Sequence, residues 1–352
     1  MSDKKKRDYK FDNIRCLMLF LVVFGHLLEC FSSTAGDNVY RVIYSFHIPV
    51  LIFISGYFAR FNRWKIISSL IYPYILFQVF YICFEGQLYG IPDIEIQFST
   101  PTWLLWYLMA LIWYYLLIPF IDSRRLFIRG SVIAGAVLLS VLAGFFTDIG
   151  YFMTLARFFT FWPYFIAGYY LGHPIDVSDA SIHKLFQKRF FRNAARIISV
   201  CLVCLLTLVV RYGTRFSKRV LYGSYPYKNA EYTPSTKIML LLIGLIWIVF
   251  LLTVIPNVKI PLMSSIGGAS LPVFLMHGFC VRLLNHYKFF SYSTLENILL
   301  ALVISFGILL LFGNPVSAFL CRRLCTGWWM ETIVKKLRTS KKTPDNILGK
   351  AI

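Results

Sequence analysis

Charge is what this sequence has least of. Of its 352 residues 15% are charged, against about 25% in ordinary soluble domains, and only 16 are acidic against 36 lysines and arginines. A chain with so few charges and 58% hydrophobic residues is not an ordinary soluble globule. Its apolar residues are gathered into runs, for example 14–31, 42–58, 66–84 and 238–255. Each is about 17–19 residues long, close to the roughly 20 that a helix rising 1.5 Å per residue needs to cross about 30 Å of hydrocarbon. The acid shortage leaves a formal charge of +20, which on a soluble module would suit nucleic acid. Here the cations sit between apolar runs, as the positive-inside rule expects of cytoplasmic loops, so no nucleic-acid partner is expected.

Other absences narrow the class further. Metal-ligand spacing is missing: Cys16, Cys30, Cys83, Cys201, Cys204 and Cys280 lie in apolar runs and read as small buried hydrophobes, while Cys321 and Cys325 have no partner histidine. No metal is expected. Internal repeats, common in secondary transporters, are also missing. A cleaved signal peptide fits poorly, because Arg15, His26 and Glu29 interrupt the stretch that follows Lys4-Lys5-Lys6-Arg7, and an uncleaved first helix is expected.

The runs predict an all-α integral membrane protein, a bundle of about ten transmembrane helices near 13–31, 42–59, 65–84, 103–121, 131–147, 151–172, 196–211, 237–255, 262–283 and 295–313. Lys/Arg placement puts both termini in the cytoplasm. The domains then read as a basic cytoplasmic N-terminus (1–12), a transmembrane domain (13–320) and a basic cytoplasmic tail (321–352). One outer loop, 212–236, breaks the rule with Arg215, Lys218, Arg219 and Lys228. It is also rich in tyrosine and glycine, which suits a surface that meets a polar ligand.

Ionisable residues inside membrane helices cost roughly 2.5–3.5 kcal/mol on insertion scales and mark sites by default. The first helix holds Arg15, His26 and Glu29. Eleven residues at 100° each make about three turns, so Arg15 and His26 share a face about 16 Å apart. Glu29 follows His26 by one turn, close enough to orient its ring or, alternatively, to lie solvated at the interface. His47 opens the second helix at a depth similar to His26, and Arg157 and His277 fall in the same outer half. For the histidines the alternative is a ring merely bonded to a backbone carbonyl, and for His47 the nearby Pro49 frees one. Trp106 and Tyr107 read first as interfacial or packing aromatics. Arg60 and Arg63, three apart, are placed to clamp phosphate, although composition alone favours positive-inside anchoring.

Arg15 with His26 after Phe11-Asp12-Asn13-Ile14, Ser45-Phe46-His47-Ile48-Pro49 with Phe53-Ile54-Ser55-Gly56-Tyr57-Phe58, and Arg60-x-x-Arg63 resemble successive motifs of the membrane acyltransferase 3 family. Pro101–Leu108, Arg157–Gly168 and Gly267–His277 are similar to its middle and late segments. The resemblance spans about residues 10–320 and is closest to the fucose 4-O-acetylase-like branch. It implies O-acyl transfer, usually of acetyl, from cytoplasmic acetyl-CoA as co-substrate to a sugar hydroxyl of a cell-surface polysaccharide or its lipid-linked precursor, in a bacterial plasma membrane. No room for an added extracytoplasmic domain follows the last helix, which favours a stand-alone transferase. In such an enzyme His26 would serve as base, directly or through an acyl-histidine, with Glu29 holding its tautomer. Arg15, Arg60 and Arg63 would bind acyl-CoA, while His47, Arg157, His277, Trp106 and Tyr107 would orient the acceptor or stabilise the oxyanion. The competing classes are a glycan transporter or flippase and a non-catalytic receptor or assembly subunit; neither needs a thioester.

Overall fold

The apolar runs fold as helices. The structure, a computed structural model, describes residues 8–175, 189–208, 217–327, 329 and 332, and among these no strand occurs. Helix α1 (Tyr9–Leu28) is buried along most of its length, from Phe11 and Ile14 to Val23 and Leu27. Around it lie α2 (Thr34–Tyr44), α3 (His47–Tyr57), α4 (Arg63–Tyr89), α5 (Trp106–Ile121), α6 (Leu126–Leu142) and α7 (Leu155–Gly172). Then come α8 (Arg189–Leu208), α9 (Pro234–Val254), α10 (Pro261–Gly268), α11 (Ser270–His286), α12 (Thr294–Phe312) and α13 (Pro315–Leu324).

Among the described residues each of the ten expected segments is mainly helical, but not all are clear spans. Seven helices are long and apolar enough to cross a membrane, or eight if the bent pair α10–α11 counts as one span, among the described residues. The exceptions among the ten are α7, which carries Arg157, Pro163 and several tyrosines, and α8, whose first turns are basic. Outward-facing side chains such as Phe120, Phe127 and Val303 are strongly exposed, as lipid-facing residues of a membrane bundle should be. Most of the flanks 1–12 and 321–352 lies outside the described residues, as do Arg215 and 184–188. In the described parts α1 starts at Tyr9, and α13 runs across position 320.

Two breaks interrupt the helices close to the polar residues of the bundle. The expected helix 42–59 divides at Ser45–Phe46, where the Ser45 hydroxyl and the His47 ring bond the Val42 and Ile43 carbonyls at 2.7 and 2.8 Å. Pro49 lacks the N–H that would continue the ladder back to Ser45. The expected helix 262–283 divides at Ala269, and its halves bend by 80°. Pro272 there can neither donate to the Gly268 carbonyl nor fit against it, and Gly267-Gly268 gives the chain freedom to turn.

Small residues set the packing. Gly56 on α3 meets the Phe165 backbone of α7, while Gly168 and Gly172 of α7 meet the Phe53 and Tyr57 carbonyls; a β-carbon at any of the three would overlap them. Gly168 and Gly172 are four apart, the spacing that lets membrane helices approach backbone to backbone. On the other side of α1, Gly267 abuts the Asp12 carbonyl. Asn13, fully buried, donates to the Val258 carbonyl at 3.0 Å and accepts from Ser264 at 2.9 Å. These contacts fix α1 in depth and rotation, and with it His26.

Candidate active site

His26 sits in the last turn of α1, and its carboxylate partner follows one residue past the span. Nδ1 of His26 lies 3.2 Å from Oε2 of Glu29 and 2.9 Å from the Tyr44 hydroxyl. A carboxylate only accepts, so Nδ1 carries the proton and Nε2 of the neutral ring holds the lone pair. Glu29 also accepts from Tyr40 and Tyr222, each at 2.8 Å, and from Tyr44 at 3.4 Å. Burial alone would raise the Glu29 carboxyl, but the hydrogen bond to His26, the charge that ring carries when it is protonated, and the bonds from Tyr40 and Tyr222 outweigh it and hold the group at about 2. Burial and the nearby Glu29 charge push the Tyr222 phenol up, so it stays a donor. Glu29 is therefore an organised carboxylate that still reaches solvent.

Trp103 packs edge-on against the His26 ring, with centroids 4.7 Å apart. Its backbone sits at φ 38°, a left-handed conformation that costs a non-glycine residue on the order of 1–3 kcal/mol. Arg282 caps the indole at 4.4 Å and pairs with Glu85 at 2.8 Å. His277 stacks on His26 at 5.7 Å and lies 6.5 Å from Trp103. Both remaining histidines are tied through Nδ1 to a carbonyl one turn back, His47 to Ile43 at 2.8 Å and His277 to Val273 at 2.9 Å. His47 thus bonds the Ile43 carbonyl rather than the Ser45 carbonyl that Pro49 frees, and its ring also lines a cavity beside His26. In neutral form each presents Nε2 as an acceptor, and that of His277 is buried without a hydrogen-bond partner. Acceptors orient a hydroxyl; they do not stabilise an oxyanion. Of the three outer-half candidates, only Arg157 can act as a cationic donor.

The cavities form a chain through the bundle. One of about 340 Å³ lies on the Glu29 side, lined by His26, His47, Trp106, Tyr151, Arg157 and Tyr222 among others. A second, of about 350 Å³, lies on the Arg15 side and includes Arg15, Ser55, Tyr107, Ser69 and His277. They share His26, Ile48, Leu104 and Trp106. The second shares Ser69, Ser270 and Leu271 with a cavity of about 630 Å³ that bears Lys65 and Arg322. The first shares Glu29 and Tyr222 with another of about 530 Å³ beside Lys218 and Asp37, which are themselves ion-paired. His26 stands where the two halves of this path meet.

The remaining expected residues are spread more widely. Arg15 pairs with Asp12 at 3.4 Å, with its guanidinium 4.8 Å over Phe58. Tyr107 shares a hydrogen bond with Ser55 at 2.9 Å. Arg60 and Arg63 are exposed and line none of the four cavities of the path, whereas Lys65, two residues on, does. Sequence reasoning did not single out Tyr40, Tyr44, Tyr222, Trp103, Lys65 or Arg322 as site residues. Tyr40 and Tyr44 stand one turn apart on α2, and Tyr222 belongs to the tyrosine-rich outer loop, so a signal existed. It is weak, because neutral aromatics in a membrane protein resemble packing.

The model of a family described as "Acyltransferase domain" matches residues 8–313. The chain belongs to the acyltransferase 3 family. By the length and composition of its helices it is a multi-pass membrane protein, and the match takes in α1 to α12 with every residue of the path except Ala318, Cys321, Arg322 and Thr326. A curated relative, nodulation protein NolL of Sinorhizobium fredii, is 24% identical over 158 residues. The aligned part covers 39% of this chain and 42% of that protein, so the chain spans well under half the length of this relative. No solved structure matches the chain.

Proposed function

We propose that this acyltransferase moves an acetyl group from cytoplasmic acetyl-CoA to a sugar hydroxyl of a cell-surface polysaccharide or its lipid-linked precursor. The observation that carries the reading is the single histidine at the junction of two cavities leading to opposite ends of the bundle. Positive-inside placement assigns the Arg15 side to the cytoplasm. There the mouth bearing Lys65 and Arg322 would meet the nucleotide phosphates, and the arm of the donor would run past Ser69 and Arg15 toward His26. The acceptor would enter beside Glu29 and Tyr222.

A sugar hydroxyl is a poor nucleophile near neutral pH and needs a base. In this reading His26 Nε2 takes the hydroxyl proton as the oxygen attacks the thioester carbonyl carbon. The new C–O bond stays, the C–S bond breaks, and the imidazolium returns its proton to the departing thiolate. Glu29 stabilises the imidazolium while it lasts. An acyl-histidine route would instead leave label on the protein before acceptor is added.

The test is transfer of radiolabel from acetyl-CoA to the surface polysaccharide fraction in open membranes. The unmutated protein should transfer label, and His26→Ala, at equal membrane abundance, should lower transfer by about 10²–10⁴-fold, the range of a general base. Full transfer by His26→Ala would remove the histidine from the mechanism. Absence of transfer by both proteins, with other acyl-CoA donors also inert, would favour the transporter reading.

A further inference from the structure

The acceptor-side cavity holds a cation that its own surroundings leave without a counter-charge. Arg157 lines it, with the guanidinium 4.8 Å over Trp106 and 5.2 Å over Tyr151. Its Nε donates to the Tyr222 carbonyl at 3.0 Å. No carboxylate pairs with it among the described residues. The carboxylate of this cavity, Glu29, is already engaged by His26 and three tyrosines. Aromatic faces partly stabilise a cation, but they do not replace an anion in a wall poor in water.

Further cations lie on the loop near this cavity. Lys218, Arg219 and Lys228 lie on the loop at the Glu29 end, where the positive-inside rule leads one to expect few cations. Asp37 neutralises Lys218, and Arg219 lies 5.7 Å over Tyr225. Membrane anchoring does not call for cations there. An unneutralised arginine among stacking aromatics, with Arg219 and Lys228 on the neighbouring loop, is an arrangement that seats an acidic saccharide.

We propose that the acceptor carries an anionic group, a carboxylate or phosphate on or next to the acylated sugar, which Arg157 binds while Trp106 and Tyr151 hold the sugar faces. This rests on the acetyl-transfer reading and adds the chemical class of the acceptor. Arg157 is here a specificity-determining residue: the anion it holds sets the hydroxyl at His26.

The experiment offers three acceptors to membranes carrying the full-length protein and labelled acetyl-CoA. They are the host's surface polysaccharide untreated, the same material with its carboxyls reduced to alcohols, and the same material freed of phosphate by hydrogen fluoride. Neutralising the relevant anion should raise the acceptor KM by about tenfold or more, the reduced arm reporting a carboxylate and the fluoride arm a phosphate. Arg157→Gln should cause a similar rise on untreated material and little further change on the neutralised one. Arg157→Lys, which keeps the charge, should recover part of the loss and shows that the site still folds. Equal transfer to all three acceptors would overturn the inference while leaving acetyl transfer intact. So would an Arg157→Gln defect confined to kcat and equal on every acceptor, the signature of oxyanion stabilisation. Transfer to none of the three would defeat the acetyl-transfer reading, and this inference with it.

Discussion

In the proposed mechanism the two nitrogens of the His26 ring have different tasks. Nδ1 is bound by Glu29 and Tyr44, which fixes the tautomer, and Nε2 would serve as the base. Replacing Glu29 by Gln keeps the shape but removes the charge that stabilises the imidazolium, so kcat should fall by about tenfold or more. The pH dependence has a definite sign. The Glu29 carboxyl is held at about 2, below its ordinary 4.5, so the stabilisation it gives the fold is complete above about 4.5 and is lost only as pH falls toward 2. It remains a carboxylate across any practical assay. An unchanged kcat in Glu29→Gln would show that Glu29 does not act through His26. At this scale the sequence revealed the charged and basic members, because an ionisable residue in an apolar run stands out. It concealed Tyr40, Tyr44 and Tyr222, whose role comes from converging on one carboxylate from separate elements.

At the scale of elements, the helices were legible because lipid demands long apolar runs, and every expected run is a helix. The breaks were not, since hydropathy is blind to backbone geometry. Pro49 and the Gly267-Gly268…Pro272 sequence carried the only signal, and a proline inside a membrane helix often does no more than kink it. The close approach of α3 and α7 was likewise hidden, although it positions His47 and Arg157 relative to each other. Gly168→Val would press a branched side chain on the Phe53 carbonyl and should cost about 1–3 kcal/mol. A lower aggregation temperature of the purified protein in detergent would report it, and an unchanged value would mean that the backbones are not in contact. On α4, the π-helical turn Ile67–Ile71 brings Ser69 to the wall shared by two cavities, close to Lys65. Lys65→Glu combined with Arg322→Glu should raise the KM for acetyl-CoA by about tenfold or more and leave that for S-acetylpantetheine, which lacks the nucleotide phosphates, unchanged. Arg60→Ala should have a smaller effect, because Arg60 lies outside the cavity. A KM increase for both donors would indicate damage rather than phosphate binding.

The whole molecule joins these pieces into one path. Cations at the Lys65–Arg322 mouth, an apolar stretch beside Arg15, the His26 junction and an aromatic chamber with Arg157 succeed one another through the bundle. An enzyme confined to one side of a membrane has no need of such a path. One that takes its donor from one side and its acceptor from the other requires it, and requires the reactive group at the meeting point.

Sealed inverted vesicles test this most directly, with labelled acetyl-CoA added outside, the surface polysaccharide fraction enclosed, and His26→Ala prepared in parallel. Label should accumulate in the enclosed polysaccharide with the unmutated protein and not with His26→Ala. Label that reaches polysaccharide only when both substrates share one side, or that reaches it equally in the His26→Ala vesicles, would contradict a path with His26 at its junction.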